Sequence, residues 1–127
     1  MPITAFSHYN LRSSREVMEE LRDFYTEVVG MREGDRPPFK TAGYWLYIGD
    51  VPVLHLVACS PEESCPPHVT NTFDHVAISA TDIEGMQNML REAGVEYERR
   101  EVPLQGHQQL FLKDPAGNGV EFIFDQE

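Results

Sequence analysis

A chain of 127 residues with 41% hydrophobic and 24% charged residues is long enough for one folded domain with a real core, which disfavours wholesale disorder despite nine Pro and nine Gly. Ten basic against twenty-one acidic residues give a formal charge of -11, which would repel phosphate backbones and anionic membrane surfaces, so nucleic acid and membranes are not expected partners. Residues 1–10 lack a basic stretch followed by an apolar one, and Cys59 and Cys65 have no zinc-ligand spacing, so the expectation is a cytoplasmic protein with reduced thiols.

In chain order, a short first strand carries Phe6-Ser7-His8, and Ser13-Ser14-Arg15-Glu16 then fits a capping box that starts a helix. Val17, Leu21, Phe24, Tyr25 and Val28 fall on one helical face, and Gly30 suits the left-handed residue just past a helix end. The period then changes to that of strands, predicted at residues 31–36, 44–48 and 51–58. Residues 59–72, with Pro61, Pro66 and Pro67, carry no period and are expected to link a first module, 1–58, to a second, 73–127.

The second module repeats the plan of the first. Phe73-Asp74-His75 echoes Phe6-Ser7-His8, Thr81-Asp82-Ile83-Glu84 fits a second capping box, and Gly94 ends a helix whose apolar face is Ile83, Met86, Leu90 and Ala93. Strands are predicted at residues 95–102, 108–112 and 120–124, with the Gly- and Asn-rich turn 114–119 before the last. Each module is therefore βαβββ, and the fold class is α+β.

The repeat singles out four side chains. His8 and His75 open the two modules, while Leu54-His55-Leu56 parallels Val120-Glu121-Phe122 and sets one polar residue between two apolar ones in each closing strand. A lone His in a strand is more often an ordinary core or surface residue. Four metal-competent side chains at duplicated positions reverse those odds, because imidazole and carboxylate are standard ligands of Zn²⁺, Ni²⁺, Fe²⁺, Co²⁺ or Mn²⁺. His107 is a second-tier candidate for moving a proton near such a metal, Trp45, Tyr47 and Phe111 are candidate pocket walls, and His68 in the linker is expected to face solvent.

The runs 6–8, 21–31, 73–77 and 112–121 closely resemble the vicinal oxygen chelate superfamily, which includes glyoxalase I, extradiol dioxygenases, methylmalonyl-CoA epimerases and fosfomycin-resistance transferases. The resemblance covers nearly the whole chain. It implies a single domain in which paired modules form a cupped mixed sheet with helices outside, a homodimer, and a divalent metal that binds two neighbouring substrate oxygens. Carried over by position, it implies metal ligands at His8, His75 and Glu121, with His55 standing where glyoxalase I usually has Glu. It also implies substrate contacts from Arg12, which resembles a glutathione-gripping arginine of glyoxalase I, and from Asn10 on the same strand. Cys59 and Asn71 stand where that enzyme tends to carry further glutathione-contacting residues.

The leading expectation is a lyase or isomerase of the glyoxalase I type, in which a metal-stabilised enolate forms and Glu121 or His107 acts as the base. The alternatives are an Fe²⁺ dioxygenase cleaving a catechol-like ring with His8, His75 and Glu121, and a non-catalytic drug-binding resistance protein.

Overall fold

The computed structural model describes residues 2, 4–63, 65, 72–103 and 106–124, so His68 and Asn71 lie outside the described residues. The chain divides into two compact units, Met1–Pro67 and His68–Glu127.

In the first unit, β1 (Tyr9–Ser13) leads into α1 (Arg15–Asp23), and β2 (Arg32–Gly34), β3 (Gly43–Ile48) and β4 (Val51–Ala58) complete a four-stranded mixed sheet of order β1-β4-β3-β2. β1 runs parallel to β4, and the other pairings are antiparallel. Such a parallel pair needs a long crossover, which the helix and the β2–β3 hairpin supply. The capping box does not form as expected. Ser13 ends β1, and Ser14 is the cap, its side chain accepting from the Val17 N–H at 3.2 Å. The helix buries Met18 and Leu21, then widens into π-helical turns over Phe24–Val28 that bury Phe24 and Tyr25, before Gly30 turns the chain at φ +94°.

These helical side chains belong with Leu46, Leu54 and Leu56, all about fully buried, on the helix-covered face of the sheet. The Tyr44 hydroxyl donates to Glu19 Oε1 at 2.7 Å and pins the helix to β3.

The second unit repeats the topology: β5 (His75–Ala80), α2 (Ile83–Glu92), β6 (Tyr97–Glu101), β7 (Gln108–Lys113) and β8 (Gly119–Phe124) give the order β5-β8-β7-β6, with β5 parallel to β8. Again the cap lies one residue later than expected. Asp82, at φ +64°, accepts from the Gly85 N–H at 3.1 Å. Gln87 and Leu90 are the buried residues of α2, whereas Ala93, expected on the apolar face, is exposed because it already belongs to the helix end.

The turn before β8 is built around the Asp114 carboxylate, 4% exposed, whose Oδ1 accepts from the N–H groups of Ala116 and Asn118, each at 2.9 Å. The Asn118 amide donates to Oδ2 at 2.9 Å. That cage sets the start of β8 at Gly119, two residues before Glu121.

Cys59 and Cys65, expected as reduced thiols, are joined in a disulfide. Between them residues 60–63 fold back on themselves, with the Glu63 N–H donating to the Ser60 carbonyl and the Ser60 N–H to Glu63 Oε1, and the two cysteine Cα atoms lie 6.7 Å apart. Sequence spacing alone does not reveal that turn. Among the described residues no helix is long and apolar enough to cross a membrane.

Candidate functional site

The sheet face away from the helix carries the polar candidates of each unit. In the first, Trp45, His55 and Asn10 are successive cross-strand partners on β3, β4 and β1, so their side chains share one face. The His8 and His55 rings stack with centroids 3.8 Å apart, and Trp45 stacks on the same His55 ring at 4.1 Å. His55 Nε2 lies 3.2 Å from the Pro52 carbonyl, which can only accept, so Nε2 carries the hydrogen and Nδ1 keeps its lone pair. Burial first, and then the neighbouring His8, hold His55 below the ordinary imidazole range.

In the second unit the same register recurs with different chemistry. Glu121 sits opposite Ala77 of β5 and Phe111 of β7, as His55 sits opposite Asn10 and Trp45. Its carboxylate is buried, with Oε1 at 3.1 Å from His75 Nε2 and Oε2 accepting from the Gln109 amide at 2.9 Å. His75 Nδ1 donates to Asp74 Oδ2 at 2.7 Å, and that hydrogen bond draws the Asp74 carboxyl below its usual range. One imidazole therefore faces two carboxylates. With Nδ1 already the donor to Asp74, Nε2 would point a lone pair at Glu121 unless a second proton or a metal cation lies between them.

The donor chemistry fits a divalent metal. Nitrogen and oxygen ligands each about 2.1 Å from such an ion stand about 3 Å apart when adjacent in a six-coordinate site and about 3.4 Å apart in a tetrahedral one, a range that includes the 3.1 Å between His75 and Glu121. Within the units the four predicted ligands form two pairs, His8 with His55 and His75 with Glu121. Among the described residues no group of three or more metal-competent side chains is assembled.

The other expected site residues are placed unevenly. Asn10 and Trp45 line a groove of about 420 Å³ with His8 and His55. Arg12 instead pairs with Glu63 and reaches the Cys65 sulfur at 3.8 Å, so its charge is already met by the loop that the disulfide closes. His107 precedes β7 and stands four residues from Phe111, about 13 Å along the strand direction, while its backbone carbonyl accepts from Val102.

Four further residues belong to the site: Gln109, Asp74, Arg36 and Phe39. Gln109, two before Phe111, had a readable signal, because period two puts it on the Glu121 side of β7. Asp74 was visible only as part of a motif. Arg36 and Phe39, which also line the groove, lie in a Pro-containing segment with no period, and nothing in the sequence aimed them there.

Comparison with known proteins agrees with this architecture. No curated protein matches the chain. Among solved structures, a glyoxalase family protein of Bacillus anthracis aligns at a TM-score of 0.73 with 23% identity, covering 98% of this chain and 97% of that one. A lactoylglutathione lyase of Agrobacterium tumefaciens aligns at 0.66 with 18% identity over 98% and 96% of the two chains. A fosfomycin resistance protein of Listeria monocytogenes aligns at 0.71 with 12% identity over 98% and 95%. At these identities the likeness is one of fold alone. The sequence profile of one family matches residues 6–122, and with the two βαβββ units it shows that this chain belongs to the Glyoxalase/Bleomycin resistance protein/Dioxygenase superfamily.

Proposed function

We propose that this protein is a divalent-metal-dependent enzyme of the glyoxalase I type, a lyase or isomerase acting on a small substrate with neighbouring oxygens, and that His8, His55, His75 and Glu121 hold the metal. The observation that carries the reading is the buried Glu121 carboxylate at 3.1 Å from His75 Nε2, with the far side of that imidazole held by Asp74. A carboxylate orienting a ligating imidazole through its other nitrogen is a recurrent support for metal sites.

When bound, the metal supplies Lewis-acid polarisation of the substrate's oxygens. The chain's own contributions are positional. Asp74 fixes the His75 tautomer, and the Gln109 amide holds Glu121 Oε2, leaving Oε1 toward His75. Glu121 is the proposed base that takes the substrate proton. Asn10 and Trp45 contact substrate from the groove wall, and Arg12 does so if Glu63 releases it. A homodimer belongs to the same proposal and is checked by light scattering.

The test is metal analysis of the purified, reconstituted protein, followed by turnover of hemithioacetals with Ni²⁺, Zn²⁺, Co²⁺ or Mn²⁺. Stoichiometric metal and turnover support the reading. Stoichiometric metal without turnover rejects the glyoxalase chemistry, and no metal after reconstitution favours a non-catalytic small-molecule binder.

One observation favours a second reading. The His55 ring is stacked between His8 and Trp45, which holds the ring in place. If it stays there, the remaining set of His8, His75 and Glu121 is the two-His, one-carboxylate combination of Fe²⁺ oxygenases. Anaerobic Fe²⁺ loading followed by catechol and oxygen would then give a coloured ring-cleavage product.

A further inference from the structure

The groove of the first unit has a charge that the rest of the chain does not prepare for. The protein carries a formal charge of -11, yet the described residues lining this groove include no Asp or Glu and do include Arg36. At about 420 Å³ the groove is within the usual range for small ligands.

Arg36 is held there without a carboxylate partner among the described residues. Its Nη1 donates to the Thr41 carbonyl at 3.0 Å and its Nη2 to the Thr41 hydroxyl at 3.1 Å, which occupies two of the five guanidinium donors. Its Nε is buried and lacks a hydrogen-bond partner among the described residues. A neutral pair of acceptors positions the cation without neutralising it, and an orphaned buried donor favours any small shift that brings an acceptor to it. The guanidinium lies against Gly43, where an added Cβ would meet the Leu56 backbone carbonyl first and then Arg36 Nη2 at 2.8 Å.

Beside the charge lie flat apolar surfaces. The guanidinium stands 4.9 Å over the Phe39 ring, and Phe39, 54% exposed, is 6.3 Å from Trp45. An exposed aromatic at the mouth of a groove, next to a cation, is suited to a ligand with an anionic end and a planar end. We propose that this groove binds a small organic carboxylate with a planar apolar part, Arg36 pairing with the carboxylate and Phe39 and Trp45 flanking the ring. The inference shares His8 and His55 with the metal site proposed above and names the substrate class for it, but it does not need the metal.

The test uses metal-free protein, with Trp45 as reporter because it is the chain's one tryptophan. Benzoate, benzamide and acetate are titrated separately against its fluorescence. Saturable binding of benzoate, at least about tenfold tighter than of benzamide or acetate, is expected, and Arg36→Gln should weaken benzoate about tenfold or more, with Arg36→Lys in between. Equal affinity for benzoate and benzamide, or no saturable benzoate binding, overturns the proposal. So does an unaltered affinity in a folded Arg36→Gln protein, and equal acetate affinity removes the planar half. Should Arg36→Gln not fold, the benzoate to benzamide ratio in the wild-type protein decides alone. Metal analysis of the same samples separates the two readings, because benzoate binding without metal uptake sinks only the metal site.

Discussion

Replacing Glu121 by Gln separates what the residue does for the fold from what it does for a metal. In the metal-free protein the amide keeps the shape and can still accept from Gln109, which now donates to Oε2 at 2.9 Å. What is lost is the pairing with His75; Gln leaves no charge at the buried position, where the Glu121 side chain is 7% exposed, and the remaining His75 side chain is 37% exposed and solvated, so the loss stays near the about 0–1 kcal/mol of partly solvated pairs. Unfolding entropy of about 2.1 cal/mol/K per residue gives roughly 0.27 kcal/mol/K for this chain length. The metal-free variant should therefore melt within about 4 °C of the wild type.

The metal-loaded proteins should diverge. At a free metal concentration about a hundred times Kd, the wild type gains about 2.7 kcal/mol, or roughly 10 °C. Loss of the anionic ligand should weaken affinity by about a hundredfold or more, since even outer-sphere partners are worth about 10–100-fold. At the same metal concentration the variant then gains at most about 0.4 kcal/mol, or about 1.5 °C. Differential scanning calorimetry at fixed protein concentration, with and without Zn²⁺ or Ni²⁺, measures both numbers. Equal metal-induced increments in the two proteins would refute the assignment of Glu121 as a ligand.

Asp114→Ala removes the acceptor for two backbone N–H groups and the Asn118 amide in a buried turn; with buried hydrogen bonds to charge at about 1.5–3 kcal/mol, chemical denaturation should show a loss of roughly 2–4 kcal/mol, and a loss below about 1 kcal/mol would contradict the structure. His55 binds its proton less readily in the folded than in the unfolded state, so the unfolded state takes up more protons as pH falls below about 6.5 and stability declines in that direction; an NMR titration midpoint for His55 in metal-free protein at or above the ordinary value would be inconsistent with its burial. Gly119→Ala would set a Cβ against the Asp74 carbonyl and 2.8 Å from the His75 Cβ, so β5 must move away from β8, with lowered stability and weakened metal uptake in the folded fraction; a crystal structure of the variant with the His75 to Glu121 distance unchanged would show the reasoning to be wrong.

Much of the architecture is legible in local pattern. Strand β4 can be read residue for residue from alternation at 51–58, and the two halves announce their equivalence through Phe6-Ser7-His8 and Phe73-Asp74-His75. The register follows, because parallel pairing of the opening and closing strands sets Asn10 opposite His55 and Ala77 opposite Glu121. Both helices start one residue later than the capping boxes predict, since adjacent Ser13 and Ser14, or Thr81 and Asp82, offer competing caps that local pattern does not separate.

Which side chains face the same way is a matter of local pattern, because strand and helix periods are properties of the local backbone and turn residues act within a few positions. What each of those side chains meets was settled by the folded chain. His55 became the centre of a ring stack and Arg12 was taken by Glu63, while Arg36 arrived in the groove from a segment without period and Cys59 reached Cys65 through a turn. Those outcomes depend on loop paths and long-range packing, and no short window of sequence encodes the distance between residues that pair only after the chain has folded.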